Sequence, residues 1–332
     1  MTFSIIIPVY NRPREIRELL RSLSAQSAGG FEVIVVEDGS TLTSEKITLG
    51  FSGKLDVRYF EKDNEGPGPA RNYGSQHANG EFFIYLDSDC VVHPEYIETL
   101  HTALMDNSID AFGGPDRAAP GFSVVQKAVS YSMTSFFTTG GIRGGKNMQK
   151  EGRFFPRSFN MGFTREVFER TGGFSCMRFG EDIELSYRIY ENGFRCVLIP
   201  EAYVYHKRRT NSTSFFKQVF YSGMARINLF MRYRDSLKFI HFLPAIFTVG
   251  TACCLALFFI HANPWFLSPL LLAALVWFFD SLRLNKNINV ALLSIITSFI
   301  QLIGYGCGFI AGAWLRMVRG KTETECNKTK FF

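Results

Sequence analysis

The stretch Glu81-Phe-Phe-Ile-Tyr-Leu-Asp-Ser-Asp-Cys90 decides how this chain is read. Its apolar run, Phe82 to Leu86, predicts a buried strand that ends abruptly in two carboxylates, Asp87 and Asp89, with Ser88 between them. Open α/β sheets bind ligands at the carboxyl ends of their strands. Two carboxylates spaced in this way can face a hard divalent cation, Mg²⁺ or Mn²⁺, which takes oxygen ligands and shares them with a diphosphate. The triplet also has an ordinary reading, in which an Asp after a strand caps a helix starting near Pro94. The surrounding sequence decides between the two.

Upstream, residues 4–9 (Ser-Ile-Ile-Ile-Pro-Val) form a β-branched run suited to a strand covered on both faces. A helix is predicted next, with Asn11 as cap, Pro13 in its first turn, and Ile16, Leu19, Leu20 and Leu23 at i, i+3, i+4 and i+7. Residues 31–36 predict a second strand ending in Glu37-Asp38-Gly39-Ser40, and residues 55–60 a third. A helix over 69–78 leads through Gly80 into the strand that ends at Asp87. Strands alternating with helices imply βαβ units and a parallel sheet. Downstream, residues 115–157 lack a clean period and read as a long loop, either an acceptor-recognition element or lid or a disordered insertion, with the mobile-looking Gly140-Gly-Ile-Arg-Gly-Gly145 at its centre. Gly180-Glu-Asp182 then opens a further helix that stops at Gly193, and a strand near 195–199 leads to a short run ending at His206.

The 332 residues are unevenly composed. Residues 1–210 read as a globular catalytic domain, 211–238 as a basic, aromatic juxtamembrane segment, 239–315 as a membrane region of two to four spans or re-entrant segments, and 316–332 as a basic polar tail. The net charge of +6 is modest. Lys207, Arg208, Arg209, Arg226, Arg232, Arg234 and Lys238 precede the first apolar segment, a pattern that fits anionic lipid rather than nucleic acid. Seven scattered cysteines, without a Cys-x-x-Cys pair, imply neither a zinc site nor a disulfide framework. With no secretory leader evident, the catalytic half is expected in the cytosol, attached to the inner (cytoplasmic) membrane. Three full spans would then place Arg316, Arg319 and Lys321 outside, against the positive-inside rule.

Four features in order (Pro8-Val-Tyr-Asn11, Glu37-Asp38-Gly-Ser40, Asp87-Ser-Asp89 and Gly180-Glu-Asp182) resemble family 2 glycosyltransferases of the GT-A fold. The arrangement is most similar to membrane-attached bacterial exopolysaccharide enzymes of the succinoglycan type. The resemblance covers roughly residues 3–230 and implies an α/β, Rossmann-like, mostly parallel sheet followed by transmembrane helices. It implies a nucleotide diphosphate sugar as donor, with UDP first and GDP next. Pro8, Tyr10, Asn11, Asp38, Arg71, Asp87 and Ser88 would bind it, with Asp38 on the base and Arg71, in Gly66-Pro-Gly-Pro-Ala-Arg-Asn72, near the nucleotide. Asp87 and Asp89 would hold the divalent cation (Mn²⁺ or Mg²⁺), Asp89 more directly, and His206 can approach it. Asp182, with Glu181 beside it, would be the general base.

The chemistry agrees with these residue types. Breaking a glycosidic bond to a diphosphate concentrates negative charge on the leaving group, which a cation offsets. The acceptor hydroxyl must lose a proton, and a placed carboxylate accepts it while in-line attack inverts the anomeric centre. Taken singly, each motif is ordinary: acids in a helix's first turn are stabilised by its dipole, Asp-Gly pairs form turns, and a lone histidine or helix arginine is usually structural. Processive synthases carry Gln-x-x-Arg-Trp, whereas this chain has Gln218-Val-Phe-Tyr-Ser222, so one sugar per encounter is expected. Polyprenyl-phosphate sugar synthases share the fold, but their ionised acceptor makes a base less necessary; Glu181-Asp182 therefore favours a hydroxyl on a lipid-linked saccharide. A sugar nucleotidylyltransferase would need a Gly-rich phosphate loop where Tyr10-Asn-Arg-Pro13 stands. An inactive membrane scaffold would not need its acids intact.

Overall fold

The computed structural model describes residues 1–105, 108–117, 119, 121–140, 153–207 and 211–323. Beyond Gly140, the glycine-rich stretch expected as a mobile loop lies outside the described residues, as do Arg208 and Arg209. Two compact units emerge, one of residues 1–119 with 149–207 and the other of 120–148 with 208–332.

In chain order the elements begin with β1 (Phe3–Val9), α1 (Pro13–Leu23), β2 (Phe31–Asp38), α2 (Glu45–Leu49), β3 (Val57–Lys62), α3 (Pro67–Gln76) and β4 (Phe82–Leu86). There follow β5 (Cys90–Val92), α4 (Tyr96–Ala103), β6 (Ala111–Gly113), β7 (Asp116–Arg117), α5 (Val124–Thr134) and α6 (Phe136–Thr139). Next come β8 (Asn160–Thr164), α7 (Arg165–Thr171), α8 (Glu181–Glu191), β9 (Cys196–Leu198) and β10 (Val204–His206). The chain continues with α9 (Ser212–Arg232), α10 (Leu243–His261), α11 (Ser268–Asn285) and α12 (Ile288–Ala313).

The first unit is built on a sheet of order β3-β2-β1-β4-β8-β6-β9. Strands β1 to β4 run parallel, while β8 is antiparallel to both β4 and β6. All seven residues of β1 and all five of β4 are buried, as strands covered on both faces require. Helix α1 starts with Pro13 in its first turn and buries Ile16, Leu19, Leu20 and Leu23, the predicted stripe. Because β2 lies on one side of β1 and β4 on the other, the sheet changes direction at β1, and a crevice opens beyond the ends of these strands. A second, small sheet has the order β5-β10-β7.

One expectation is corrected in the second unit. The stretch read as a loop holds α5, whose start is a reciprocal cap: Gln126 N donates to Ser123 Oγ (3.3 Å) and Ser123 N to Gln126 Oε1 (3.0 Å). Its buried residues, Ala128, Val129, Tyr131, Ser132 and Met133, are nearly consecutive. A helix enclosed on several sides lacks the single stripe from which helices are read. Within this unit, Thr297 Oγ1 donates to Ala128 O (3.0 Å), and Tyr131 and Ser135 donate to Asp280 Oδ2 (3.0 and 3.1 Å). Phe239–His261, Pro264–Asn285 and Ile288–Val318 are long and apolar enough to cross a membrane.

Candidate functional site

The site gathers where β1, β2 and β4 end. Asn11 takes a positive φ of 53° just after β1, and its Oδ1 accepts from Thr41 N (2.9 Å), Thr41 Oγ1 (3.0 Å) and Leu42 N (2.9 Å). It thereby ties the end of β1 to the turn after β2. Pro8 is buried within β1, and Tyr10 is exposed at the rim. Asp38, ending β2, accepts from Glu65 N (3.0 Å) and Gly66 N (2.8 Å) and pairs with Lys62 (3.3 Å). Its carboxylate thus fixes the loop that launches α3.

Arg71, on α3, is almost completely buried and makes two ion pairs: Nη2 to Asp87 Oδ1 at 2.7 Å and Nη1 to Glu181 Oε1 at 3.1 Å. Its guanidinium also lies 5.1 Å from the Phe174 ring. One planar fork therefore joins the strand-end acids to the acids opening α8, residues 110 positions apart from Arg71 in the chain. Gly180 caps α8 with φ 82°, a left-handed turn that an L side chain resists, and this turn presents Glu181 and Asp182 together. Burial pushes the Glu181 carboxyl up to about 7, the neighbouring Asp182 adding to the effect and Arg71 opposing it. Asp182 accepts from Ile183 N (2.8 Å) and, more weakly, from Ser158 N (3.4 Å), with Arg157 at 3.7 Å.

Asp89 sits between Arg12, which donates to Oδ2, and His206, whose Nε2 lies 3.1 Å from Oδ1. Burial alone would raise the Asp89 carboxyl, but His206 and Arg12 overcome it and hold the group well below the usual range. His206 arrives through strand register: β10 pairs antiparallel with β5 so that His206 faces Cys90. Its ring stacks on Phe159, with centroids 4.9 Å apart. Ser88 is buried between the two acids.

Ligand atoms of Asp89, Cys90 and His206 lie within 4.8 Å of one another. A carboxylate suits either Mn²⁺ or Mg²⁺, whereas an imidazole beside it favours Mn²⁺, since Mg²⁺ prefers oxygen ligands alone. Burial, with Asp89 and Asp87 adding to it, keeps the Cys90 thiol protonated, and its Sγ donates to Phe159 O (3.4 Å). The donor set therefore fits a divalent cation such as Mn²⁺ held by carboxylate and imidazole, with the protonated thiol apart.

The structure brings Arg71, Asp87, Glu181 and Asp182 into one linked group and Asp89 with His206 into another, adjacent one. Asn11 and Asp38 organise its rim. Sequence reading missed Arg12, Cys90 and Arg157 as members. Arg12 carried a faint signal, since Pro13 restrains its backbone; Arg12, not the expected Asn11, holds the cap position of α1, and Asn11 serves the turn after β2 instead.

A mostly parallel sheet with Asp38 and Asp87 at its strand ends, and Arg71 tying Asp87 to Glu181, is an α/β arrangement of the class that binds ligands at the carboxyl ends of its strands. The profile of Glycosyl transferase family 2 matches residues 4–172, just over half of the chain, and the protein belongs to that family. A glycosyltransferase of Rickettsia typhi is 42% identical over 107 residues, covering 32% of each chain. The matched stretch spans about a third or less of the length of the curated relatives. Among solved structures, the Pyrobaculum calidifontis mannosyltransferase PcManGT, in complex with GDP-Man and Mn²⁺, superposes with a TM-score of 0.62 at 19% identity, covering 90% of this chain and 86% of that one. TarS residues 1–349 of S. aureus with UDP-GlcNAc gives 0.51 at 23% identity, covering 69% and 67%. These likenesses establish the GT-A-like fold.

Proposed function

We propose that this protein transfers a sugar, with inversion, from a nucleotide diphosphate sugar to a hydroxyl of a lipid-linked saccharide, one residue per encounter. The observation that carries the reading is the buried Arg71 bridge between Asp87 and Glu181, which couples the strand-end acids to the acidic helix start. The nucleotide would lie across the ends of β1 and β2, against Pro8, Tyr10, Asn11 and Asp38. UDP is the first choice of base and GDP the next; structures of similar fold hold UDP-GlcNAc and GDP-Man.

The acceptor oxygen attacks the anomeric carbon, the bond from that carbon to the diphosphate oxygen breaks, and its electron pair leaves with the nucleoside diphosphate. Asp182 takes the hydroxyl proton. Its side chain is slightly more open than that of Glu181, which Arg71 holds. Glu181 and Arg71 keep Asp87 and Asp182 in register across the crevice. Asp89 and His206, with Asp87 nearby, would hold Mn²⁺ or Mg²⁺, which when bound offsets the charge on the leaving diphosphate. The apolar helices of the second unit would attach the protein to the inner membrane as a multi-pass protein, with the catalytic unit in the cytosol and membrane lipids and the lipid-linked acceptor as partners.

The test is nucleotide release by detergent-purified full-length protein, offered UDP-, GDP- and dTDP-sugars with Mn²⁺ or Mg²⁺ and a membrane lipid extract as acceptor source. Release from one donor, dependent on the metal and lost in folded Asp89→Ala and Asp182→Asn, is expected. Full activity in both variants, or no binding of any nucleotide by calorimetry, would overturn the mechanism.

A further inference from the structure

Three upright membrane spans obey a simple constraint: two of the three must run the same way. The contacts among α10, α11 and α12 violate it. Along α10 and α12, Phe242 meets Phe309 (ring centroids 5.2 Å), Gly306 abuts Pro244 O, and Thr248 Oγ1 reaches Leu302 O (3.4 Å), so the pair is antiparallel. Along α11 and α12, Trp277 meets Phe299 (5.0 Å) and Ser281 Oγ bonds Ser294 Oγ (2.7 Å), again antiparallel. Helices α10 and α11 are joined through a short turn around Pro264–Leu267 and meet at Phe247 and Trp277 (5.8 Å), a hairpin. Three mutually antiparallel helices cannot share one axis direction. One of them is steeply inclined to the others.

Burial identifies which. Only 6% of the apolar stretch of α10 and 11% of that of α11 is buried, the all-round apolar surface of lipid-immersed helices, against 50% for α12. The buried side of α12 is mostly polar or small, with Ser294, Thr297, Ser298, Gln301, Gly304, Gly308 and Gly312 beside Val290, Leu302 and Phe309. The opposite side carries exposed Leu292 and Ile296 near its start and Ile310 near its end, continued by Trp314 and Met317 in the turn that follows, all on one line along the axis. Helix α9 runs parallel to the second half of α12, with Phe216 and Val219 at Gly304, Phe220 O at Gly308 and Met224 at Gly312. It carries Lys217, Arg226 and Arg232. At 1.5 Å per residue these cations spread over about 22 Å of axis, so an upright α9–α12 pair would carry at least one deep into hydrocarbon, where charge is costly.

We propose that α10 and α11 form the hairpin that enters the bilayer and returns, whereas α12 lies in the plane of the membrane surface beside α9 with its apolar stripe in the lipid. The three cations of α9 then share one depth at the headgroups, where anionic lipid attracts them. The exposed Trp265 marks the hairpin tip. Arg316, Arg319 and Lys321 stay on the side where α10 begins, which removes the conflict with the positive-inside rule.

This inference rests on membrane attachment and not on the transfer reaction. Nitroxides introduced through an unnatural amino acid, one at a time, at Leu292, Ile296, Ile310 and Met317, and at Ile246, Val249, Leu257 and Ile260 of α10, would be read in full-length protein reconstituted into phosphatidylcholine–phosphatidylglycerol vesicles. The ratio of collision rates with oxygen and with a water-soluble nickel chelate reports depth. It should stay constant within about twofold across the four α12 sites and change steadily along α10. A steady gradient through the bilayer centre along α12 would overturn the in-plane placement. Water-like values at all eight sites would overturn membrane attachment, leaving donor turnover unaffected. As a second measurement, epitopes before Met1 and after Phe332 should be cleaved together by protease added to sealed inverted membrane vesicles; protection of one alone would also overturn the proposal.

Discussion

Both units bury apolar side chains, but only the second leaves long apolar helix faces exposed and places many polar or small residues inside. In the first, Ile5, Ile7, Val33, Val35 and Ile84 fill the interior, as they do in proteins folded by water. In the second, Ser294, Ser298, Gly304 and Gly308 are buried while Ile296, Ile310 and Leu272 face outward. Lipid tails are as apolar as leucine, so helices in lipid gain little from hiding apolar side chains and associate through close contact of small residues and hydrogen bonds. The contrast separates the chain into a part that water folds, which carries the acids, and a part that lipid solvates, which carries the anchor.

If that division holds, chemistry and anchoring fail independently. The largest effect is expected for Asp182→Asn, which should lower turnover by roughly 10²–10⁴-fold while leaving the protein in the membrane fraction; retention of full turnover would break the assignment. Asp89→Ala should abolish the metal-dependent part of donor binding, read by titrating Mn²⁺ in calorimetry with UDP present. Next in size is a paired measurement of stability. Ile7→Ala, at a fully buried strand position, should cost about 2–5 kcal/mol in denaturant unfolding, whereas Ile296→Ala, on the exposed face of α12, should change the detergent-solubilised protein by less than about 0.5 kcal/mol. Equal costs would show that α12 is packed as water-soluble helices are. Gly308→Ala sharpens the comparison further, since an added Cβ would fall 1.8 Å from Phe220 O and must push α9 away.

The smallest expected effect is a pH dependence confined to the first unit. Glu181 titrates near 7 in the folded protein, above the ordinary value of 4.5. The folded state therefore keeps a proton that the unfolded chain has already released. The stabilising contribution is complete below pH 4.5 and is lost as pH rises towards 7. Glu181→Gln should flatten that part of the Tm–pH curve. An unchanged curve would mean that Arg71 holds the carboxylate ionised throughout.

Much of the first unit could be read in advance because its signals are local. An apolar strand ending in acids, a Pro-led helix with four apolar residues in register, and a Gly before paired acids each announce themselves within ten residues. Arg12 and Arg157 did not, because their roles come from partners 77 and about 25 residues away. Helix α5 escaped because enclosure on several sides removes the stripe by which helices are recognised.

By itself, the sequence determined the alternation of strands and helices, the acids at the strand ends and the apolar character of residues 239–315, since each depends on neighbours along the chain. Only the tertiary structure decided that Arg71 joins Asp87 to Glu181, that β10 delivers His206 to Asp89, and that α12 runs against both α10 and α11. Those facts depend on register and direction between segments far apart in sequence, and no local pattern encodes a direction in space.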